Sequence, residues 1–202
     1  MASGTIGRNR WPSWLRRHSL HGYTAFSHWL LIDTNMCGCK VLDIGCGAGG
    51  ITLSLVNDFD AKMVIGVDVE ADVVEKAKTK VKKASLDDQI KILLVGQGKL
   101  PFKANTFDIV FSKDSIVHIS NKEKIFQEVF RVLIPGGIFV FSDWLISHDQ
   151  EPSPEMKYYL ALEDLGFGMA SPCLLYTSPS PRDKRQSGIA YCGFKKKGGG
   201  GG

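Results

Sequence analysis

What this sequence lacks narrows it first. No apolar run reaches the ~18 residues that a membrane-spanning helix needs. The first thirty residues contain no continuous apolar stretch followed by a small-residue cleavage site. Neither a membrane span nor a secretory signal is expected, and a cytoplasmic protein is. The five cysteines, Cys37, Cys39, Cys46, Cys173 and Cys192, lack paired C-x-x-C spacing and do not make an even disulfide set. Reduced thiols and no metal site are expected. Acidic residues are absent from residues 1–32, which carry Arg8, Arg10, Arg16 and Arg17, and residues 173–202 hold only Asp183 against six basic residues. The net charge of +4 therefore belongs to the ends, and the middle of the chain is acidic. That balance argues against a nucleic-acid-binding core.

What is present fits one soluble globular domain: 202 residues, 44% hydrophobic and 23% charged. Five apolar segments of strand length stand at 40–44, 63–68, 90–95, 107–112 and 137–142, rich in Val, Ile, Leu or Phe. Segments of helical period lie between them. Residues 71–84 place Val73, Val74, Ala77 and Val81 on one side, and residues 122–133 do likewise with Ile125, Val129 and Val132. Pro135-Gly136-Gly137 is predicted to break the chain before the last strand. The alternation predicts an α/β fold, a Rossmann-like doubly wound and mostly parallel sheet.

The first strand runs into Gly45-Cys46-Gly47-Ala48-Gly49-Gly50, which contains G-x-G-x-x-G at Gly45, Gly47 and Gly50. Glycines let a ligand reach backbone N–H groups at a helix N-terminus. Asp68 closes the second strand, where an acid accepts hydrogen bonds from ribose hydroxyls. A nucleoside-containing cofactor follows, and its spacing fits either a nicotinamide dinucleotide or S-adenosylmethionine. Asp43 is an acid where a dinucleotide loop usually has an apolar or small residue.

Asp43-x-Gly45-x-Gly47-x-Gly49 resembles the first motif of class I S-adenosylmethionine-dependent methyltransferases. Gly66-Val67-Asp68, Leu100-Pro101-Phe102, Phe107-Asp108-Ile109-Val110 and Leu133-Ile134-Pro135-Gly136-Gly137 resemble the later ones, in order. The resemblance implies S-adenosyl-L-methionine as cofactor, with Asp43 near its methionine end. The implied cofactor-binding set is Asp43, Gly45, Gly47, Gly49, Asp68, Val69, Gln97 and Ser112. Gln97 stands in for an acid that many members carry where this chain has Gly96.

Ser112-Lys113-Asp114-Ser115-Ile116-Val117-His118 leaves the fourth strand. If this segment is helical, Asp114 and His118 share a face. An amine attacks only through a free lone pair, so a base must first take its proton, and an imidazole oriented by a carboxylate suits that work. A helix-capping Asp beside an unrelated surface His gives the same spacing. From Phe107 to about Leu165 the chain is similar to phosphoethanolamine N-methyltransferases, whose Ser-Arg-Asp-x-x-x-His motif implies catalytic roles for Asp114 and His118. Lys113 replaces the Arg, Trp144 follows Asp143 in place of a Tyr, and Tyr159 aligns with a substrate-side tyrosine. Glu163 falls where that family has a phosphate-binding arginine. Trp144, Tyr159 and Glu163 form the implied substrate side, and the implied substrate is a small-molecule amine, phosphorylated or not. An NAD(P)-dependent oxidoreductase and an inactive cofactor-binding fragment are the competing readings.

Residues 173–183, Cys-Leu-Leu-Tyr-Thr-Ser-Pro-Ser-Pro-Arg-Asp, resemble one reading frame of a transposase adaptor used to prepare DNA sequencing libraries. The resemblance implies a C-terminally truncated native sequence ending near Pro172, followed by a non-native tail packed against nothing. The expected organisation is an N-terminal segment, 1–37, as a possible lid; a cofactor-binding core, 38–143; a substrate cap helix, 144–172; and the tail, 173–202.

Overall fold

The computed structural model describes residues 35–96, 98–143, 151, 153–162 and 193–195. Their strands are β1 (Lys40–Ile44), β2 (Met63–Asp68), β3 (Ile90–Leu94), β4 (Phe107–Lys113), β5 (Leu133–Ser142) and β6 (Gly193–Lys195). Helices α1 (Gly50–Asn57), α2 (Ala71–Lys83), α3 (Lys122–Val132) and α4 (Pro154–Leu162) complete the elements, with a 3₁₀ turn at Ile116–His118. The sheet order is β3-β2-β1-β4-β5-β6. The first five strands pair in parallel, and β6 pairs antiparallel with β5. Residues 1–34, Gln97, Trp144, Glu163 and most of 173–202 lie outside the description, and with them the lid and much of the cap and tail. Tyr159 falls within α4.

Burial explains the order. Val41, Leu42 and Ile44 are buried together, as a central strand covered on both faces requires. β3 alternates instead, with Lys91, Leu93 and Leu94 exposed, as a sheet edge allows. α2 buries Val74, Ala77 and Val81 of its predicted stripe and leaves Val73 partly exposed, while α3 buries the predicted Ile125, Val129 and Val132 together with Phe126. Phe126, Phe139 and Phe141 form an aromatic cluster, with Phe139 and Phe141 stacked at 4.8 Å between centroids. Truncating a fully buried ring such as Phe139 to Ala costs about 3–5 kcal/mol.

Two motifs of the sequence have structural jobs. Asp108 Oδ2 accepts the Lys40 N–H at 2.8 Å and so anchors the start of β1 to β4. The Leu100-Pro101-Phe102 loop is held by α3: Arg131 donates to the Phe102 and Leu100 carbonyls at 2.7 and 3.0 Å, and Glu128 accepts from Leu100 N–H at 2.8 Å. Arg131 and Glu128 are themselves paired at 2.7 Å. The guanidinium fork suits this bridging because its donors lie fixed in one plane.

Two expectations need correction. β5 begins at Leu133, and Pro135-Gly136 lies inside it. Leu133 stands opposite Phe107 and Ile138 opposite Ile109, so the extra residues of β5 are accommodated by a register shift. The tail is also not wholly unpaired: Gly193, Phe194 and Lys195 pair with Val140, Phe139 and Ile138. An edge strand presents unpaired N–H and C=O groups, and any short extended segment can satisfy them, whatever its side chains.

β1 leads outward to β2 and β3, while β4 and β5 lie on its other side. The crevice between the carboxyl ends of β1 and β4 is the place where such sheets bind ligands.

Candidate active site

The loop leaving β1 turns through three left-handed glycines, Gly45, Gly47 and Gly49, with φ of 71°, 51° and 75°. Side chains rarely adopt that backbone region. Gly45 N–H and Cys46 N–H both donate to the Val67 carbonyl, at 2.8 and 3.1 Å, which locks the loop against the end of β2. At Gly47 a Cβ would meet nothing within 4 Å, so the loop has open space above it. No side chain caps the N-terminus of α1 and no acid stands in its first turn. Its positive end is therefore available to a ligand's carboxylate.

Two acids flank this loop. Asp43, at the end of β1, is buried to 2% exposure, and its Oδ2 accepts the Thr52 hydroxyl at 2.6 Å. Burial pushes its carboxyl up to about 6; the Thr52 hydrogen bond works the other way, and the charge of Asp68 adds to the rise. Asp68, at the end of β2, is half-buried. Its Oδ2 accepts Gly47 N–H at 2.8 Å and its Oδ1 accepts Glu70 N–H at 3.1 Å, so it clasps the glycine loop to the end of β2. Val69 beside it is exposed. The Cys46 thiol beneath the loop is raised by burial and by Asp43 and Asp68, which leaves it an inert filler.

The substrate-side segment departs from the helical expectation. Asp114 sits at the strand end with φ of 51°, and His118 ends the 3₁₀ turn Ile116–His118. The two do not share an α-helical face, because Asp114 stands just past β4 in a left-handed turn whose N–H donates to the Ser142 carbonyl at 2.9 Å, and the helical turn after it begins only at Ile116. Among the described residues Asp114 forms an ion pair with Lys113, and no hydrogen bond joins it to His118, whose ring is exposed. Ser112 is buried, its hydroxyl donated to the Ile44 carbonyl at 3.0 Å, and so ties β4 to β1.

Ser115 and Thr52, not singled out in the sequence, and Asp143, noted there only as the acid before Trp144, hold these parts together. Ser115 Oγ lies 2.9 Å from the Lys113 carbonyl and 3.2 Å from the Gly45 carbonyl, joining the β4 segment to the glycine loop. Asp143 Oδ2 accepts Val117 N–H at 2.7 Å and fixes the turn that ends in His118. Thr52 is fully buried beside Asp43. The one available signal for Thr52 was a polar residue among the apolar Ile51, Leu53 and Leu55 of a short helix.

Comparison with known proteins matches a family described as methyltransferase domain over residues 36–164. A sterol 24-C-methyltransferase of Gibberella zeae is 36% identical over 135 residues, covering 66% of this chain and 35% of that protein. Phosphoethanolamine N-methyltransferase 3 of Arabidopsis thaliana is 32% identical over 123 residues, covering 61% and 24%. The structure of Haemonchus contortus phosphoethanolamine N-methyltransferase 2, in complex with phosphomonomethylethanolamine and S-adenosylhomocysteine, matches with a TM-score of 0.69 at 25% identity. That match covers 78% of this chain and 35% of the other. The chain thus spans about a third or less of the length of these relatives. The family match decides between the two cofactor classes that the glycine loop left open. With its open glycine loop, uncapped helix terminus and paired acids at the ends of β1 and β2, the chain belongs to the class I S-adenosylmethionine-dependent methyltransferases.

Proposed function

We propose that this chain binds S-adenosylmethionine over Gly45, Gly47 and Gly49 and methylates the nitrogen of a small amine. The observation that carries the reading is the polarity of the crevice rim. At the carboxyl ends of β4 and β5 the described residues Lys113, Asp114, Ser115, His118, Ser142 and Asp143 are polar, whereas Ile116 and Val117 are buried. Such a rim suits a small cationic substrate better than a sterol.

When bound, S-adenosylmethionine supplies an electrophilic methyl carbon on a sulfonium. Asp68 would hold its nucleoside and Asp43 would offer charge to its cationic end, while the Gly45, Cys46 and Gly47 N–H groups, engaged by Val67 and Asp68, keep the loop in shape beneath it. His118, exposed at the end of its turn, takes a proton from the substrate ammonium and so frees the nitrogen lone pair. Asp114, ion-paired with Lys113, retains acceptor positions toward that ammonium. The lone pair so freed would take the methyl group that the bound cofactor would supply, the carbon–sulfur electron pair remaining on the cofactor's sulfur. Trp144 and Tyr159 are the proposed contacts for a methylated ammonium. Glu163, where phosphoethanolamine methyltransferases carry a cation, weighs toward an amine without a phosphate.

The 36% identity to a sterol 24-C-methyltransferase favours a second reading, methylation of a sterol carbon. Methyl transfer from isotopically labelled S-adenosylmethionine, run in parallel with phosphoethanolamine, ethanolamine, glycine and a side-chain-unsaturated sterol, separates the two. Label in an amine supports the proposal, and label in the sterol alone overturns it. Calorimetry with S-adenosylhomocysteine tests the cofactor half, with Asp68→Ala expected to weaken binding by about 1.5–3 kcal/mol.

A further inference from the structure

Asp43 is buried to 2% and Thr52 to 0%, nine residues apart in sequence, yet their oxygens lie 2.6 Å apart. Among the described residues this is the hydrogen bond that the Asp43 carboxylate receives. A buried carboxylate with few donors tends toward its neutral form, because burial disfavours charge and each donor favours it. The elements around Asp43 supply little else. β2 brings Gly66 opposite it and Asp68 beyond, a like charge; β4 brings Phe111; the loop brings Cys46. Thr52, on the first turn of α1, is therefore the stabilising neighbour of the acid nearest the start of the cofactor loop.

We propose that Thr52 is a positioning residue for Asp43, holding the carboxylate in one orientation and in its charged form, so that affinity for the cofactor's cationic end depends on the Thr52 hydroxyl. The inference rests on the proposed cofactor binding, but its first measurement does not. A threonine suits the task because its hydroxyl donates while its methyl packs against the core, and Val replaces it at nearly constant volume while removing the donor. The pull of burial against the Thr52 hydrogen bond leaves Asp43 near the middle of the accessible pH range, where losing one donor changes the charged fraction measurably.

The test follows the Asp43 carboxyl carbon by NMR from pH 4 to 8 in the wild-type chain, Thr52→Val and Thr52→Ser, together with calorimetric titration of S-adenosylhomocysteine. Thr52→Val is expected to raise the Asp43 midpoint by about one pH unit, the scale of a single hydrogen bond to a charged group. S-adenosylhomocysteine binding should weaken about five-fold near pH 6 and about two-fold near pH 7 in the same variant, the loss shrinking as pH rises. Thr52→Ser should restore both. If Thr52→Val unfolds the chain, Thr52→Ser against Thr52→Ala carries the comparison. An unchanged midpoint, or binding that ignores Thr52 while wild type binds normally, overturns the inference. Absence of S-adenosylhomocysteine binding by the wild-type chain itself overturns the proposed function, while the midpoint still reports on Thr52.

Discussion

The Ser115 hydroxyl stands 2.0 Å from where a Cβ on Gly45 would be, although 70 residues separate the two in sequence. Gly45 is therefore required twice: by its φ of 71° and by the substrate-side segment resting against the cofactor loop. Gly45→Ala should destabilise the chain by about 2–4 kcal/mol in urea denaturation, combining left-handed strain with overpacking. Adding Ser115→Gly should recover the overpacking part only, so the double variant should be more stable than Gly45→Ala alone by about 1–2 kcal/mol. Equal stability of the single and double variants would separate the two loops.

The stability of the chain should carry a mark of Asp43 in its pH dependence. Its folded carboxyl is raised to about 6, above an unfolded value near 3.8, so between those values the folded state binds more protons than the unfolded. The contribution of Asp43 to stability therefore falls as pH rises through that window, by about 2–3 kcal/mol in total. Chemical denaturation of wild type and Asp43→Asn isolates it. The variant should gain stability relative to wild type on going from pH 4 to 7, and a constant difference would show that Asp43 stays charged throughout.

His118 and Asp114 should act as a unit on the methyl acceptor. His118→Ala should lower turnover by ~10²- to 10⁴-fold with S-adenosylhomocysteine affinity nearly intact, because proton removal and cofactor binding use different groups. Asp114→Asn should add little to that loss in the double variant. Wild-type turnover in His118→Ala would return the imidazole to an ordinary exposed side chain.

The edge pairing of β6 should matter for association. Phe194 stands opposite Phe139 at the centre of the three-residue pairing, so Phe194→Pro, with its fixed φ and no N–H, should disturb the pairing of β6. Light scattering should show the variant associating more readily than wild type, through a β5 edge left open to other chains. Identical scattering would mean that β6 protects nothing.

Much of this protein could be read before its fold was seen. The five parallel strands and the apolar stripes of α2 and α3 follow from local periodicity, because burial on one or both faces writes itself into residue spacing. The glycine loop and its acids were equally visible, since left-handed backbone and an acid at a strand end are local demands. The contacts that decide chemistry were not. Whether residues 114–118 continue as strand or coil into a helix depended on Ser142, whose carbonyl captures Asp114 N–H and holds the aspartate off the helical face. Ser115 against Gly45 depends on the β1–β4 register, and Thr52 against Asp43 on how the glycine loop turns α1 back along β1. The start of β5 and the pairing of β6 depended on the neighbouring strand's free hydrogen-bonding groups. Local sequence thus set which elements form and where the cofactor loop stands, while the tertiary structure chose which polar groups meet, because hydrogen-bond partners distant in sequence become neighbours only once the sheet has closed around them.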